Sequence, residues 1–213
     1  MKKIFVAAIM AATAVSTPAF ADVFSGPYVG AQISRDAYEI KAEDVDLGGG
    51  ATLSFDGLSA NGVGGGLYVG YDYALSNAVF FGVEANANLS SASLSADLGG
   101  LADAKIRARE SFGLSARLGY MLADNTGVYA RGGWQSTKFK SSLSDGVDTF
   151  TTKTTQDALV YGAGLETRVG AQTSIRVEYL IEDFGSAGLN RDLGLNGIRV
   201  DNNKLSLGIS YRF

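Results

Sequence analysis

The sequence predicts an all-β chain that closes as an eight-stranded, antiparallel, up-and-down transmembrane β-barrel. Three observations carry that expectation: an export leader, eight segments in which apolar and polar residues alternate with period two, and short turns that alternate strictly with long connections. Alternation in segments of about 9 to 11 residues is how a barrel crosses a bilayer without any long apolar run.

The leader is residues 1–21. Lys2 and Lys3 precede an apolar stretch from Ile4 to Val15, and Ala19-Phe20-Ala21 closes it as a small-x-small cleavage site, the pattern of a secretory signal peptide. Thr13, Ser16, Thr17 and Pro18 interrupt the run, short of the roughly 20 apolar residues a spanning helix needs. The expected organisation is a signal peptide over 1–21 and one barrel domain over 22–213. With no cysteine, neither a lipoprotein anchor nor a disulfide framework is available, and with no histidine either the usual ligands of a structural zinc are missing. The formal charge of −4, more negative still once Lys2 and Lys3 leave with the leader, argues against a nucleic-acid partner. The 28 glycines beside 2 prolines suit many strands and turns, and a mean hydropathy of +0.09 with no second long apolar segment excludes a helical membrane protein.

The first expected strand, Pro27 to Ala37, sets Val29, Ala31 and Ile33 on one face against Tyr28, Gly30, Gln32 and Ser34, apolar toward lipid and polar toward the lumen. Gly62 to Ala74 repeats the pattern with Val63, Leu67, Val69, Tyr71 and Tyr73 outside and Gly64, Gly66, Tyr68, Gly70 and Asp72 inside. In the third strand Val79, Phe81, Val83, Ala85, Ala87 and Leu89 oppose Phe80, Gly82, Glu84, Asn86 and Asn88. The fourth, Lys105 to Met121, places Ile106, Ala108, Phe112, Leu114, Ala116, Leu118 and Tyr120 against Arg107, Arg109, Ser111, Gly113, Ser115, Arg117 and Gly119. Glu110 breaks its apolar face, and either a bulge or a position above the bilayer accommodates that charge.

The fifth strand, Thr126 to Phe139, shows Val128, Ala130, Gly132 and Trp134 outside and Tyr129, Arg131, Gly133 and Gln135 inside. The sixth, Asp157 to Gly170, alternates Leu159, Tyr161, Ala163, Leu165 and Val169 with Val160, Gly162, Gly164, Glu166 and Arg168. The seventh, Thr173 to Phe184, sets Ile175, Val177, Tyr179 and Ile181 against Arg176, Glu178, Leu180 and Glu182. In the last, Lys204 to Phe213, Leu205, Leu207, Ile209, Tyr211 and Phe213 oppose Lys204, Ser206, Gly208, Ser210 and Arg212. Short turns at Leu75 to Ala78, Leu122 to Asn125 and Ala171 to Gln172 alternate with long connections at Tyr38 to Asn61, Ser90 to Ala104, Lys140 to Gln156 and Gly185 to Val200. That is the layout of an outer-membrane barrel, with turns and both mature termini in the periplasm and loops outside the cell.

Aromatic positions agree. Tyr71, Tyr73, Phe81, Tyr120, Tyr211 and Phe213 fall at the periplasmic ends of their strands and Trp134 and Tyr161 toward the outer ends, where rings favour the water–lipid boundary. Rings filling the core of a soluble β-sandwich would have no reason to collect there.

The mature start, Phe24-Ser25-Gly26-Pro27-Tyr28-Val29-Gly30, resembles the aromatic-x-Gly-x-Tyr-x-Gly opening of the outer-membrane β-barrel domain family, whose members include opacity-like, porin-family and outer-membrane immunogenic proteins and OmpA-like eight-stranded barrels. The closing strand, ending Tyr211-Arg212-Phe213, looks like the signal by which the barrel-assembly machinery recognises its clients, with Tyr211 and Phe213 as the residues that carry it. The resemblance implies passage by periplasmic chaperones, residence among outer-membrane lipid and lipopolysaccharide, and roles in envelope integrity, adhesion or host recognition, in some members as a small channel.

Catalysis finds little support. Without histidine, serine-hydrolase and most general-base mechanisms are unavailable. Carboxylate pairs remain, yet Glu39, Glu43, Asp44 and Asp46 read as a solvated charge run that lacks the D-x-D-x-D-G spacing of a calcium loop. Gly48 to Gly50 and Gly62 to Gly66 complete neither a P-loop nor a G-x-G-x-x-G. No catalytic, cofactor or metal residue is expected, and the chain is not read as an enzyme.

The candidate site is the lumen. Asp72, Glu84, Arg107, Arg109, Arg117, Arg131, Glu166, Arg168, Arg176, Glu178, Glu182, Lys204 and Arg212 all take inward positions, with both signs in each half. An eight-stranded barrel is about wide enough for side chains to fill, so a paired plug is the structural expectation and a narrow gated ion path its functional rival. Two functions follow: a barrel anchor that presents four long loops to surface or host ligands, or a small porin.

Overall fold

A computed structural model of the chain describes residues 24–46, 52–97, 103–144, 149–185 and 198–213. The expected leader, 1–21, lies outside the described residues, as does Asp22. The strands are β1 (Gly26–Asp46), β2 (Thr52–Ala74), β3 (Val79–Ser90), β4 (Ser93–Asp97), β5 (Asp103–Ala123), β6 (Thr126–Ser144), β7 (Thr149–Arg168), β8 (Thr173–Asp183) and β9 (Ile198–Arg212). Every pairing is antiparallel. The spatial order β3-β2-β1-β9-β8-β7-β6-β5 closes through the β3–β5 pair, and β4 continues β3 along the edge of β5 after a break at Ser91 and Ala92, so the nine segments make eight staves.

Closure is staggered. Directly opposed residues followed from Val29 through Val69, Ala85, Leu114, Trp134, Leu159, Asp183 and Asp201 lead back to β1 at Glu39, a stagger of ten residues. A stagger of this kind tilts the strands, usually by about 35 to 45°, and sets an interior that side chains fill.

Alternation then sorts the faces. Ile33, Val63, Leu67, Val69, Leu114, Leu118, Leu159, Leu205, Leu207 and Ile209 are exposed on the outside, while Tyr28, Tyr68, Phe80, Asp72, Glu84, Arg117, Glu166, Arg176 and Glu178 are buried inside. A continuous apolar belt around the whole circumference far exceeds the patches a water-soluble monomer tolerates. Hydrocarbon is the solvent that fits it, and a closed barrel leaves no backbone group unpaired there.

The structure departs from the expectations in two ways. The long connections are largely strand: β1 runs on to Asp46 and β2 starts at Thr52, where a loop over 38–61 was expected, and β6 and β7 extend to Ser144 and from Thr149. Beyond the lipid belt both faces of a ribbon meet water, so period two vanishes although the backbone stays paired. Thr151, Thr152, Lys153 and Thr155, all exposed and mostly β-branched, lie on such a ribbon. The second departure is on β5. Ala108 pairs with Phe139 and Ser111 with Thr137, so Arg109 and Glu110 carry one extra residue in a β-bulge. The bulge reverses parity above it: Ala108 is buried in the lumen, while Arg107 and Arg109, expected inside, are exposed outside. Glu110 is held by Lys138 Nζ at 3.1 Å.

Candidate functional site

Side chains fill the lumen in tiers. At the end of the short turns, the guanidinium of Arg117 donates to both oxygens of Asp72, at 2.9 and 2.5 Å, and to Glu166 at 2.7 Å. Arg212 reaches the same two carboxylates, at 2.7 and 3.8 Å, and donates to the Gly26 carbonyl at 3.2 Å, tying the closing strand to the first. In the middle tier Arg176 grips Glu84 with two nitrogens, at 2.5 and 3.2 Å, and Arg131 bridges Glu84 and Glu178 at 2.9 and 3.0 Å. Near the long-loop end Glu182 accepts from Lys204, from Gln135 at 2.9 Å and from Asn202 at 2.9 Å, and Asp36 accepts from Ser34 and Ser90.

These charges come from β1, β2, β3, β5, β6, β7, β8 and β9, so every stave carries at least one, each at the alternate position the pleat turns inward. Among the described residues the buried set is Asp36, Asp72, Glu84, Glu166, Glu178 and Glu182 against Arg117, Arg131, Arg176, Lys204 and Arg212. Hydroxyls make good the small excess of acid: Tyr28 donates to Glu84 at 3.0 Å and Tyr129 to Glu178 at 2.8 Å. Rings interleave with the guanidinium groups. Arg176 lies 3.5 Å from the centre of the Tyr68 ring, and Arg117 sits between Tyr28 at 4.8 Å and Tyr129 at 4.9 Å. Cation–π contact in a dry interior adds attraction without adding charge.

Apolar clusters close both ends. Phe24, Phe80 and Tyr129, with Met121 against them, cap the turn end, where Phe24 and Phe80 stack at 5.4 Å. Tyr38, Ala92, Ala108, Ala158 and Phe184, with Phe139, cap the loop end. Between them a cavity of about 10 Å³ remains beside Gln32, Asn88, Arg131 and Lys204, room for about one water.

Of the lumen residues expected from sequence, Asp72, Glu84, Arg117, Arg131, Glu166, Arg176, Glu178 and Arg212 are brought into one ion-paired column, together with Glu182 and Lys204. Arg168 lies at the turn-end rim, half-buried, where it donates to the Ala171 carbonyl. Arg107 and Arg109 are outside the barrel. Asp36 and the ring partners Tyr28, Tyr68, Phe80 and Tyr129 were not singled out, although all five hold inward parity. For the rings the legible signal was a large aromatic opposite a glycine, as with Tyr68 and Gly30. On the outer surface Tyr71, Tyr73, Phe81, Tyr120, Tyr211 and Phe213 are exposed at the turn end, and Trp134 and Tyr161 on the loop-end side.

The sequence matches the model of the outer membrane protein beta-barrel domain over residues 7–213. It is 32% identical over 164 residues to the 31 kDa outer-membrane immunogenic protein of Brucella melitensis, spanning 73% of this chain and 68% of that one. It is 35% identical over 104 residues to outer membrane protein A of Klebsiella pneumoniae, 47% of this chain and 28% of that one. Among solved structures, a major outer membrane protein from Thermus thermophilus superposes with a TM-score of 0.52 at 16% identity, over 86% of this chain and 99% of that one, a likeness of fold. Family match, closed barrel and lipid-facing belt agree, and the chain belongs to the outer membrane protein beta-barrel domain family, as an eight-stranded barrel of the outer membrane.

Proposed function

We propose that this protein is a non-enzymatic, non-conducting anchor that holds four loop-end hairpins and loops at the cell surface, where they contribute to envelope integrity or meet host and surface ligands. The observation that carries the reading is the filled lumen: an ion-paired column on every stave, capped by an aromatic cluster at each end. An ion entering would have to displace Phe24 and Phe80, part Arg117 from Asp72 and Glu166, and then do the same at two further tiers. Buried pairs of this kind cost about 3 to 5 kcal/mol each to break.

In this reading residues 1–21 are removed on export, both mature termini face the periplasm, and the long hairpins face outward. Tyr211 and Phe213 are presented to the barrel-assembly machinery after escort by periplasmic chaperones. The name of the Brucella relative, an immunogenic protein, supports surface display. The test is conductance of the full-length refolded protein in a planar bilayer. The expected trace is flat; steady ohmic steps scaling with salt would replace the anchor by the small-porin reading.

A further inference from the structure

Above the lipid belt β5, β6 and β7 carry an aligned row of cations on the outer surface. The register sets Arg107 opposite Lys140 and Lys140 opposite Lys153, across β5, β6 and β7. Directly opposed residues share a face, and here it is the outer one: Arg107 and Lys153 are exposed and Lys140 is half-buried. Lys138 and Arg109, both exposed, stand nearer the belt. Around the barrel, on β8, β9 and β1, the register aligns Asp183, Asp201 and Glu39, with Lys41 opposite Arg199 two residues further along.

Like charges directly opposed on neighbouring strands repel. Among the described residues Lys138 has Glu110 at 3.1 Å, Asp157 lies one row nearer the belt opposite Ser136, and no carboxylate stands within ion-pairing distance of Arg107, Arg109, Lys140 or Lys153. Among the described residues nothing offsets that repulsion, and an anion from outside would. The apolar residues beneath identify the source. Phe112, Trp134 and Leu159 form the upper edge of the belt, and Lys138 and Lys140 follow Trp134 by roughly 13 and 20 Å along a tilted strand, at about 3.3 Å per residue. An occupant that touches both levels has acyl chains below and anionic groups above. Arginine forks beside lysine point charges match phosphate oxygens.

We propose that the outer face of β5–β7 binds the phosphorylated headgroup of an outer-leaflet glycolipid, its phosphates against Arg107, Arg109, Lys138, Lys140 and Lys153 and its acyl chains against Phe112, Trp134 and Leu159. The proposal rests on the reading that the long-loop end faces outward, and it deepens that reading by naming a lipid partner and the side of the barrel that takes it.

Trp134 is the only tryptophan in the chain and lies beneath the cluster, so it reports the lipid next to it. The full chain is refolded into phosphatidylcholine vesicles containing a minor fraction of bis-phosphorylated lipid A with brominated acyl chains, and Trp134 quenching is measured. Quenching is expected to exceed that set by the bulk mole fraction, and to return to it with dephosphorylated brominated lipid A and with R107Q/K140Q/K153Q. Each single substitution is expected to lower the apparent affinity about fivefold, the effect of one surface cation on an anionic lipid. Relief of repulsion should leave the triple variant at least as resistant to urea as the parent in pure phosphatidylcholine, whereas a merely structural role for the row would make it less resistant.

Equal quenching by phosphorylated and dephosphorylated lipid A, or by parent and triple variant, overturns the proposal. So does enrichment that millimolar inorganic phosphate or a soluble sulfated oligosaccharide abolishes, since the row would then serve a dissolved anion. Brominated phosphatidylcholine alone separates this failure from that of the membrane reading: it quenches Trp134 in any correctly inserted barrel.

Discussion

Replacing Arg117 by methionine tests whether the lumen is held by its charges or merely filled by them. Arg117 and Asp72 are 2% and 0% exposed, so water cannot take over a lost partner. The substitution deletes donors at 2.9 and 2.5 Å to Asp72 and at 2.7 Å to Glu166, leaving Arg212 alone, at 2.7 and 3.8 Å, to serve two buried carboxylates. Methionine supplies volume between Tyr28 and Tyr129 but no charge. Breaking a buried pair on one side costs about 3 to 5 kcal/mol, roughly two to three and a half orders of magnitude in the folding equilibrium. Neutralising the stranded acid as well, in Arg117→Met with Glu166→Gln, should recover about 1 to 3 kcal/mol of that loss, the usual coupling between members of one network. The assay is urea unfolding in phosphatidylcholine vesicles, followed by Trp134 fluorescence and by the mobility of unheated samples on a gel. A loss below about 1 kcal/mol for the single variant, or no recovery in the double, would refute the reasoning.

A methyl group on Gly30 would lie 2.2 Å from the Tyr68 ring, which Arg176 pins from 3.5 Å, so Gly30→Ala should cost about 1 to 3 kcal/mol in the same assay. Gly132→Ala, with nothing within 4 Å, should be close to neutral. Because the chain has no cysteine, Thr152→Cys and Asn77→Cys each give one labelling site; a membrane-impermeant maleimide should reach the first on intact cells and the second only after permeabilisation, and the reverse pattern would invert the orientation. Deleting Phe213 removes an exposed ring packed 5.2 Å from Tyr211, a loss of roughly 1.5 to 3 kcal/mol that refolding in vitro should survive. In cells the same deletion should deplete the outer membrane, and normal levels there would show that Tyr211 and Phe213 carry no assembly information.

Within the lipid belt the sequence was close to transparent, because each outward residue must suit hydrocarbon and each inward one must suit a polar interior. Where that demand ends, so does the signal. Residues 38–46 and 52–61 are paired strand, yet they lie beyond the lipid belt, where the demand for an apolar outer face ends. The bulge at Arg109 and Glu110 hides for a related reason: it needs only one inserted residue, and its sole trace was the misfit of Glu110 on an apolar face. From that misfit the reversal at Arg107 did not follow, since a position above the bilayer explained Glu110 equally well. The lumen pairs lie at the other extreme. Asp72 and Arg117 are 45 residues apart in sequence and meet across Gly82, which is the register partner of both, so their pairing needs the registers of three strands at once, a property of no single strand.

The same physics explains why the lumen is built from charge at all. A buried ion pair is no more stabilising than well-packed apolar side chains of the same volume, so stability alone does not select it. An apolar lumen would make both faces of every strand apolar, turning segments of 9 to 11 residues into continuous hydrophobic runs of high β propensity. Runs of that kind pair with one another wherever the chain is unfolded. A chain read as exported is unfolded twice, at the inner membrane and in the periplasm, before its sheet can close. Charges such as Glu84 between Val83 and Ala85, or Arg176 between Ile175 and Val177, interrupt these runs. They hold the mean hydropathy at +0.09 while leaving the lipid-facing half intact. Their cost falls due only on closure, when the stagger brings each cation to an acid, so the pairing in the lumen is as much a consequence of how the barrel reaches its membrane as of how it stays there.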